Sequence, residues 1–358
     1  MDNRNLQQAA GLLEQNILSF LDYYDTTYEE SLLSVGKTKA EAARLVGWDW
    51  THGIGVYALY RLAHRRQDAA LLDALDGWFA RRLAVGLPEK NVNTVCPLLT
   101  MACLYEERRN PAYRPVLLEW ADWVMTEMPR TEEGGLQHSH AELENKGQLW
   151  DDTLFMTVLF LAKTGVLFDR SELCREAEYQ FLLHTKYLTD RATGLWYHGW
   201  TFEGRHNFAG ALWGRGNCWV TLFVPEFLSL LDPVPSVRRA AQETLRAQVA
   251  ALIRLQDESG LWHTLLDDPT SYLEASGSAG FCAGMLRGVR EGLLPASAEP
   301  CARRALQAVL DHLTPDGELQ QVSYGTNVGT TLEAYKQVPL RKMHYGQALA
   351  LLAVLEAM

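Results

Sequence analysis

The sequence predicts an all-α fold in which six helical hairpins close into an (α/α)6 ring. Three observations support this prediction: apolar residues recur at helical spacing, β-branched alternation is almost absent, and a glycine-containing loop string repeats about every 60 residues. The length of 358 residues accommodates six such repeats. We therefore expect one domain over residues 1–358, and an open solenoid is the structural alternative.

Helical periodicity is clear in six segments of the chain. Each places apolar residues three and four positions apart, which is typical of a helix with a buried face. In chain order they cover residues 53–66, 71–86, 152–165, 217–231, 236–255 and 344–358. Gly and Pro residues separate the segments at intervals that suit helices of ordinary length.

The repeated loop string has the form acidic–Gly–Leu–polar or aromatic–His. Its copies are EEGGLQH (132–138), ATGLWYH (192–198), ESGLWH (258–263) and the weaker PDGELQQ (315–321). The glycines at 135, 194, 260 and 317 are 59, 66 and 57 residues apart, and each interval fits two helices of about 15–20 residues with their loops. We expect the strings to meet on one rim of the ring and to place a site there.

Composition limits the class of function. Hydrophobic residues make up 47% and charged residues 22% of the chain, as in ordinary globular proteins. A net charge of −11 without a basic cluster argues against nucleic acid and anionic membrane as partners. Eleven tryptophans and fourteen tyrosines, many of them in loop-like strings, favour a groove for a flat polar ligand.

Cellular location and assembly are predicted less directly. No apolar run approaches the ~20 residues that cross a bilayer, and residues 1–15 lack the features of a signal peptide. Six cysteines without a CxxC pair are typical of reduced core thiols. We expect a cytoplasmic monomer or homodimer that acts on a small molecule.

Several strings together resemble one enzyme family. They are NVNTVCPLLT (91–100), WDDTLFM (150–156), GLWYHGW (194–200), WGRGNCW (213–219) and GLWHTLLDDPTSYLEASGSA (260–279). They are similar to the unsaturated rhamnogalacturonyl hydrolases of glycoside hydrolase family 105, which are relatives of the family 88 unsaturated glucuronyl hydrolases. The matches follow the family order over roughly residues 50–335. The resemblance implies a hydrolase, without cofactor or metal, that hydrates the Δ4,5 bond of an unsaturated galacturonyl residue in disaccharides such as unsaturated galacturonyl-rhamnose.

Asp151 and Asp152 precede an apolar helical segment. An aspartate at such a boundary often caps the helix, and this remains one interpretation. Alternatively, burial and a like-charged neighbour raise the pKa of one carboxyl, which can then donate a proton near neutral pH. The resemblance assigns the acid/base role to Asp152, which would protonate C4 and then deprotonate the attacking water.

The WGRGNCW string combines two aromatic faces with a cation. Its glycines permit close approach of backbone and ligand. Arg215 is suited to a two-pronged hydrogen bond with a uronate carboxylate, and Trp213 and Trp219 to contact with a sugar ring. The alternative is a helix entry in which the arginine simply stacks on a tryptophan.

Histidines recur in the loop strings. We expect His138 and His198 to contact the substrate and His263 to line the mouth, although a loop histidine is more often only hydrogen-bonded locally. His138, His140 and Glu142 also form an HxHxE pattern, which is a weak indication of a metal site. The resemblance requires no metal.

Two further segments are candidates for the rim. Asn93 stands where the related glucuronyl hydrolases carry a second important acid, and we expect it to bind substrate and to favour the rhamnogalacturonyl branch. Trp48, Asp49, Trp50 and His52 either belong to the rim or only begin a helix.

Three other functions stay open at this point. An unsaturated glucuronyl hydrolase acting on glycosaminoglycan fragments would differ at the subsite beyond the uronate. A sugar epimerase would need two acid/base groups, for example histidines, on opposite faces of the substrate. A non-catalytic ring would bind oligosaccharide through its tryptophans alone.

Overall fold

The computed structural model describes residues 3–358, and these residues are mostly helical, as predicted. The α-helices are α1 (Asn3–Leu21), α2 (Thr26–Ser34), α3 (Lys39–Val46), α4 (Trp50–Arg66), α5 (Ala69–Val85), α6 (Val92–Val95), α7 (Pro97–Arg108), α8 (Tyr113–Thr126), α9 (Leu159–Leu167), α10 (Ser171–Leu188), α11 (Gly214–Leu230), α12 (Pro235–Leu255), α13 (Ala275–Arg290), α14 (Glu299–Asp311), α15 (Leu332–Lys336) and α16 (His344–Ala357). A π-helical turn (Leu154–Val158) leads into α9, and a 3-10 turn (Ala296–Ala298) leads into α14. No helix within residues 3–358 is long and apolar enough to span a membrane.

Six of these helices form an inner ring. In ring order they are α4, α7, α9, α11, α13 and α16, and each packs against the next, with α16 returning to α4. The inner helices are apolar on nearly all sides because they are enclosed by two ring neighbours and an outer helix. In α16, for example, every residue from Tyr345 to Leu355 is buried.

An outer helix covers each inner helix. The pairs α4–α5, α7–α8, α9–α10, α11–α12 and α13–α14 are sequential hairpins, and their outer helices show the alternating burial of amphipathic helices. The sixth pair joins α16 to α1, from opposite ends of the described chain. The predicted ring of six hairpins is therefore confirmed, and one continuous apolar core runs through it from Leu6 to Leu355.

The four repeated strings form the same tight turn. Each follows an outer helix, α8, α10, α12 or α14, and leads toward the next inner helix. A glycine with positive φ stands in every turn: Gly134, Gly194, Gly260 and Gly317, with φ between 78° and 92°. The first turn thus uses Gly134 rather than the expected Gly135, because Gly134 is the residue that adopts the left-handed conformation. The inner helices α9, α11, α13 and α16 consequently begin at the rim that carries these turns.

Short strands complete this rim. Strand β1 (Gln148–Trp150) pairs antiparallel with β2 (Gly199–Thr201), and β3 (Trp262–His263) pairs antiparallel with β4 (Leu273–Glu274). The α2–α3 hairpin also lies here, with a small apolar cluster of its own formed by Leu32, Ala42, Leu45, Val46 and Ala141.

Candidate active site

A cavity of about 690 Å³ opens at the rim where the inner helices begin. Six of the predicted site residues line it, namely Asn93, His138, Asp152, Trp213, Arg215 and Trp219. His198 and His263, which were also predicted, do not line it. The cavity further includes residues of α1, of the α2–α3 hairpin, of the loop 324–327 and of the entry to α16.

Asp151 is fully buried, and neither of its carboxyl oxygens has a hydrogen-bond partner. Burial, with a further contribution from Asp152, raises its pKa well above the ordinary value. The carboxyl lies directly against Gly216, where a Cβ atom would overlap its Oδ2. The absence of hydrogen-bond partners means that helix capping does not account for this residue. The close contact of this carboxyl with Gly216 explains why a glycine follows Arg215.

Asp152 is the carboxyl that faces the cavity. Its side chain is 15% exposed, and burial raises its pKa to about 7, against the opposing effects of nearby backbone N–H groups and Arg215. A carboxyl with this pKa is half protonated at neutral pH. It can therefore serve as a general acid and, once ionised, as a general base.

His138 lies beside the carboxyl of Asp152. Its Nδ1 is hydrogen-bonded to Thr153 Oγ1 at 2.8 Å and lies 3.2 Å from Asp152 Oδ1. The ring stacks on Trp150 with centroids 4.3 Å apart. Burial lowers the pKa of His138 well below its ordinary value, so the contact with Asp152 involves a neutral imidazole. The acid therefore has a neutral ring beside it and is not neutralised there by an ion pair.

Arg215 lies in the cavity wall and is almost fully engaged by the protein. One terminal nitrogen donates to the carbonyl and hydroxyl oxygens of Ser323, and the other donates to the carbonyl of Tyr324 and to Thr326 Oγ1. The guanidinium also lies 4.7 Å from the Trp213 ring centroid and 3.7 Å from Glu274 Oε1. Its Nε–H alone is buried without a partner. The expected two-pronged hydrogen bond to a carboxylate would therefore compete with the bonds that hold the loop 323–326.

His198 lies behind the cavity wall. Its ring packs on Trp213 with centroids 4.2 Å apart, and its Nδ1 is hydrogen-bonded to Tyr335 Oη at 2.8 Å. Its carbonyl oxygen accepts a hydrogen bond from the Asp151 N–H. In this structure His198 supports the tryptophan and the aspartate pair rather than facing the cavity.

His263 lies further away, in strand β3. Its Nδ1 contacts the carbonyl oxygen of Ser271, and its Nε2 is 3.8 Å from Asp257. Asn93, in contrast, lines the cavity from the short helix α6. Asp49, Trp50 and His52 combine both roles considered for them, because Asp49 caps α4 and all three line the cavity.

The HxHxE pattern does not gather into a metal-ligand set. Within residues 3–358, no group of three or more His, Cys, Asp or Glu side chains lies close enough to share a metal ion. Glu142 accepts a hydrogen bond from Ser31 Oγ, while His138 is bonded to Thr153.

Sequence reasoning missed the residues that α1, α2 and α16 bring to the cavity, notably Phe20, Tyr28 and His344. They stand in stretches whose pattern does not distinguish them from core or surface residues. Their position depends on the closure of the ring, which no local string reports.

Comparison with known proteins supports the resemblance. The sequence profile described as Glycosyl Hydrolase Family 88 matches residues 29–358. The unsaturated rhamnogalacturonyl hydrolase YesR of Bacillus subtilis (strain 168) is 36% identical over 307 residues, which cover 85% of this chain and 88% of YesR.

Solved structures extend the comparison. A possible member of family GH105 from Salmonella enterica serovar Paratyphi A has a TM-score of 0.93 and 47% identity, covering 100% of this chain and 94% of that one. The unsaturated glucuronyl hydrolase of Bacillus sp. GL1 has a TM-score of 0.69 and 19% identity, with 86% of each chain covered. At that identity the second likeness concerns the fold alone.

Proposed function

The chain belongs to glycosyl hydrolase family 88, and from this membership we propose that it is an unsaturated rhamnogalacturonyl hydrolase. Its proposed substrate is a disaccharide such as unsaturated galacturonyl-rhamnose, from which it releases the Δ4,5-unsaturated galacturonyl residue. The relation to YesR supports this choice of substrate. The single observation that carries the chemistry is a cavity-lining carboxyl, Asp152, with a pKa of about 7.

The proposed reaction uses Asp152 twice. Its carboxyl proton is transferred to C4 of the enol ether, and the C4=C5 electron pair forms the new C–H bond. The positive charge that appears at C5 is shared with the ring oxygen, and water attacks C5 while the Asp152 carboxylate accepts a proton from it. The resulting hemiketal opens and expels the remaining sugar, so the glycosidic bond is never attacked directly, unlike in the two-carboxylate mechanisms.

Neighbouring groups prepare Asp152 for this role. A second carboxyl, Asp151, is adjacent and buried, which disfavours ionisation of the pair. Arg215 acts in the opposite direction on the pKa of Asp152, and its buried Nε–H has no partner within the protein. Trp213 and Trp219 line the cavity, and the neutral His138 ring lies beside the acid, with Nδ1 3.2 Å from Asp152 Oδ1.

The proposed setting is the cytoplasm, where an imported disaccharide would be hydrolysed by a single catalytic domain. The six cysteines support this setting because all are free and five of them are buried, as expected for thiols kept reduced.

The test is the ultraviolet absorbance of unsaturated galacturonyl-rhamnose, since the Δ4,5 bond absorbs and its hydration product does not. Wild type should remove the signal, Asp152→Asn should not, and Asp232→Asn, whose side chain is 94% exposed, should behave as wild type. In D2O the product should carry deuterium at C4.

Two outcomes would contradict the proposal. Loss of absorbance with folded Asp152→Asn would remove Asp152 from the acid role. No loss with wild type would refute the proposed substrate and return the glucuronyl, epimerase and binding functions to consideration.

A further inference from the structure

The ring order places one side of the cavity mouth opposite Asp152. Asp152 precedes α9, the third inner helix counted from α4, so the sixth inner helix, α16, faces it across the ring with α4 alongside. With neighbouring helix axes about 8–10 Å apart, opposite axes of a six-membered ring are roughly 16–20 Å apart. A uronate at Asp152 therefore leaves the side of α4 and α16 for the sugar attached to it.

An aromatic stack lines this opposite side. Phe20 lies between the rings of His52 and His344, with centroid distances of 4.3 Å and 3.6 Å, and all three residues line the cavity. Because both faces of Phe20 are covered and Phe20 and His52 are buried, His344, which is half-buried, is the member of the stack that can contact a sugar.

His52 is an unpaired polar group within this stack. The residue is 2% exposed, and neither of its ring nitrogens has a hydrogen-bond partner. Burial lowers its pKa to about 3, so the imidazole is neutral, with one nitrogen a donor and the other an acceptor. Buried polar atoms without partners are rare and costly. Because His52 lines the cavity, a ligand hydroxyl is the natural partner.

Three carboxylates lie along α2 and the start of α4. Asp49 accepts hydrogen bonds from Tyr28 Oη at 2.6 Å and from the Trp50 N–H, and Asp25 caps α2. Glu142 is close enough to Asp49 to raise the pKa of that residue. All three carboxylates line the cavity.

Few cations balance these carboxylates. Lys342 also lines the cavity, but its Nζ lies 3.0 Å from Glu318. This leaves Arg341, which lies over the ring of Tyr324, a residue whose pKa Asp25 and Glu142 also influence. The side opposite Asp152 is therefore polar and aromatic, with an excess of negative charge.

We propose that Phe20, His52 and His344 form the subsite for the sugar that follows the unsaturated uronate, and that the surrounding carboxylates make it select an uncharged sugar. His344 would contact the sugar ring, His52 would bind one hydroxyl, and Asp25, Asp49 and Glu142 would repel a sulfate or carboxylate. This proposal rests on the proposed function and adds a physical reason for preferring a rhamnose-linked substrate to a sulfated glycosaminoglycan fragment.

The charge selection is tested with two matched disaccharides, unsaturated galacturonyl-rhamnose and the same compound sulfated on rhamnose. Wild type should have the higher kcat/KM for the unsulfated compound. Glu142→Gln should increase the ratio of sulfated to unsulfated kcat/KM on the order of tenfold, since one unit charge is removed at close range. Glu30→Gln, on the exposed surface of α2, should leave the ratio unchanged.

The hydroxyl contact is tested with His52→Phe, which keeps the stack and removes two buried polar atoms without partners. We expect KM for the disaccharide to rise on the order of five- to tenfold. The methyl glycoside of the same unsaturated uronate has no second sugar, so its KM should not change. Thermal unfolding checks that the variant is folded.

The results separate this inference from the proposed function. Two results would overturn the inference alone, provided that wild type hydrolyses the methyl glycoside. One is an unchanged ratio of sulfated to unsulfated kcat/KM in Glu142→Gln. The other is an equal effect of His52→Phe on KM for the disaccharide and for the methyl glycoside. Failure of wild type to remove the absorbance of any of the three compounds would overturn both.

Discussion

The pH dependence of kcat/KM tests the central role of Asp152. Hydration requires the protonated carboxyl, and burial raises its pKa to about 7. At pH 7 about half of the molecules then carry the proton, whereas an aspartic acid with an ordinary pKa near 3.9 would carry it in roughly one molecule in 1,300. The structure therefore places about 600-fold more of the active form at neutral pH than an exposed aspartate would provide.

The raised pKa of Asp152 also determines the direction in which kcat/KM changes with pH. A raised carboxyl pKa extends the protonated form upward in pH, so kcat/KM should be level below about pH 6 and fall about tenfold per unit above pH 7. Initial rates of absorbance loss at low substrate concentration, measured between pH 4 and 9, give this profile. Asp152→Asn should show only the uncatalysed background throughout.

One result would refute the reasoning. If kcat/KM already falls tenfold between pH 4 and 5, the acid has an ordinary pKa, and the burial of Asp152 does not keep it protonated. A limb near pH 7 that persists in folded Asp152→Asn would assign the titration to another group.

Three further predictions concern the support of the acid. Asp151 keeps a proton in the folded protein that the unfolded chain releases above about pH 4; wild type should lose up to about 1.4 kcal/mol of stability per pH unit above that point. The melting temperature of Asp151→Asn minus that of wild type should therefore be larger at pH 7 than at pH 4. The same value at both pH values would contradict this. Gly216→Ala should lower the free energy of unfolding by roughly 1–3 kcal/mol through overlap with Asp151, and it should reduce kcat/KM. The control Gly77→Ala, whose Cβ has space within α5, should raise the free energy of unfolding by about 0.5–1 kcal/mol. Similar unfolding curves for the two variants would refute the close contact. Tyr335→Phe removes the hydroxyl bonded to His198 and should cost about 1–3 kcal/mol with a fall in kcat/KM, both absent if that hydrogen bond is unimportant.

The fold was largely predictable because its information is local and repeated. Helical periodicity identified most inner helices, and the recurrent turn required a left-handed glycine at each copy. The first copy offers two adjacent glycines, and only the backbone shows that Gly134 adopts that conformation. The pairing of α1 with α16 has no local signal, since it depends on which helices remain uncovered after the other five hairpins form.

The site divides in the same way. Asp152, Trp213 and Arg215 stand in strings that resemble the motifs of one enzyme family, so the sequence singles them out. Phe20 and His344 have no such context, and their contact exists only because the ring closes. The loop histidines were harder to place because β2 and β3 direct the chain behind the wall, as seen for His198 and His263.

The pairing of α1 with α16 also has a consequence for synthesis of the chain. The ribosome synthesises α1 long before α16, and contacts such as Asn16 Nδ2 to the Asp316 carbonyl join residues 300 positions apart. Loop closure over 300 rather than 60 residues adds only about 1.4 kcal/mol, because the entropic cost grows with the logarithm of length. The large sequence separation therefore weakens the folded state only slightly. Until α16 has been synthesised, the surface of α1 that packs on it stays uncovered, and we expect the nascent chain to need protection from aggregation over that interval.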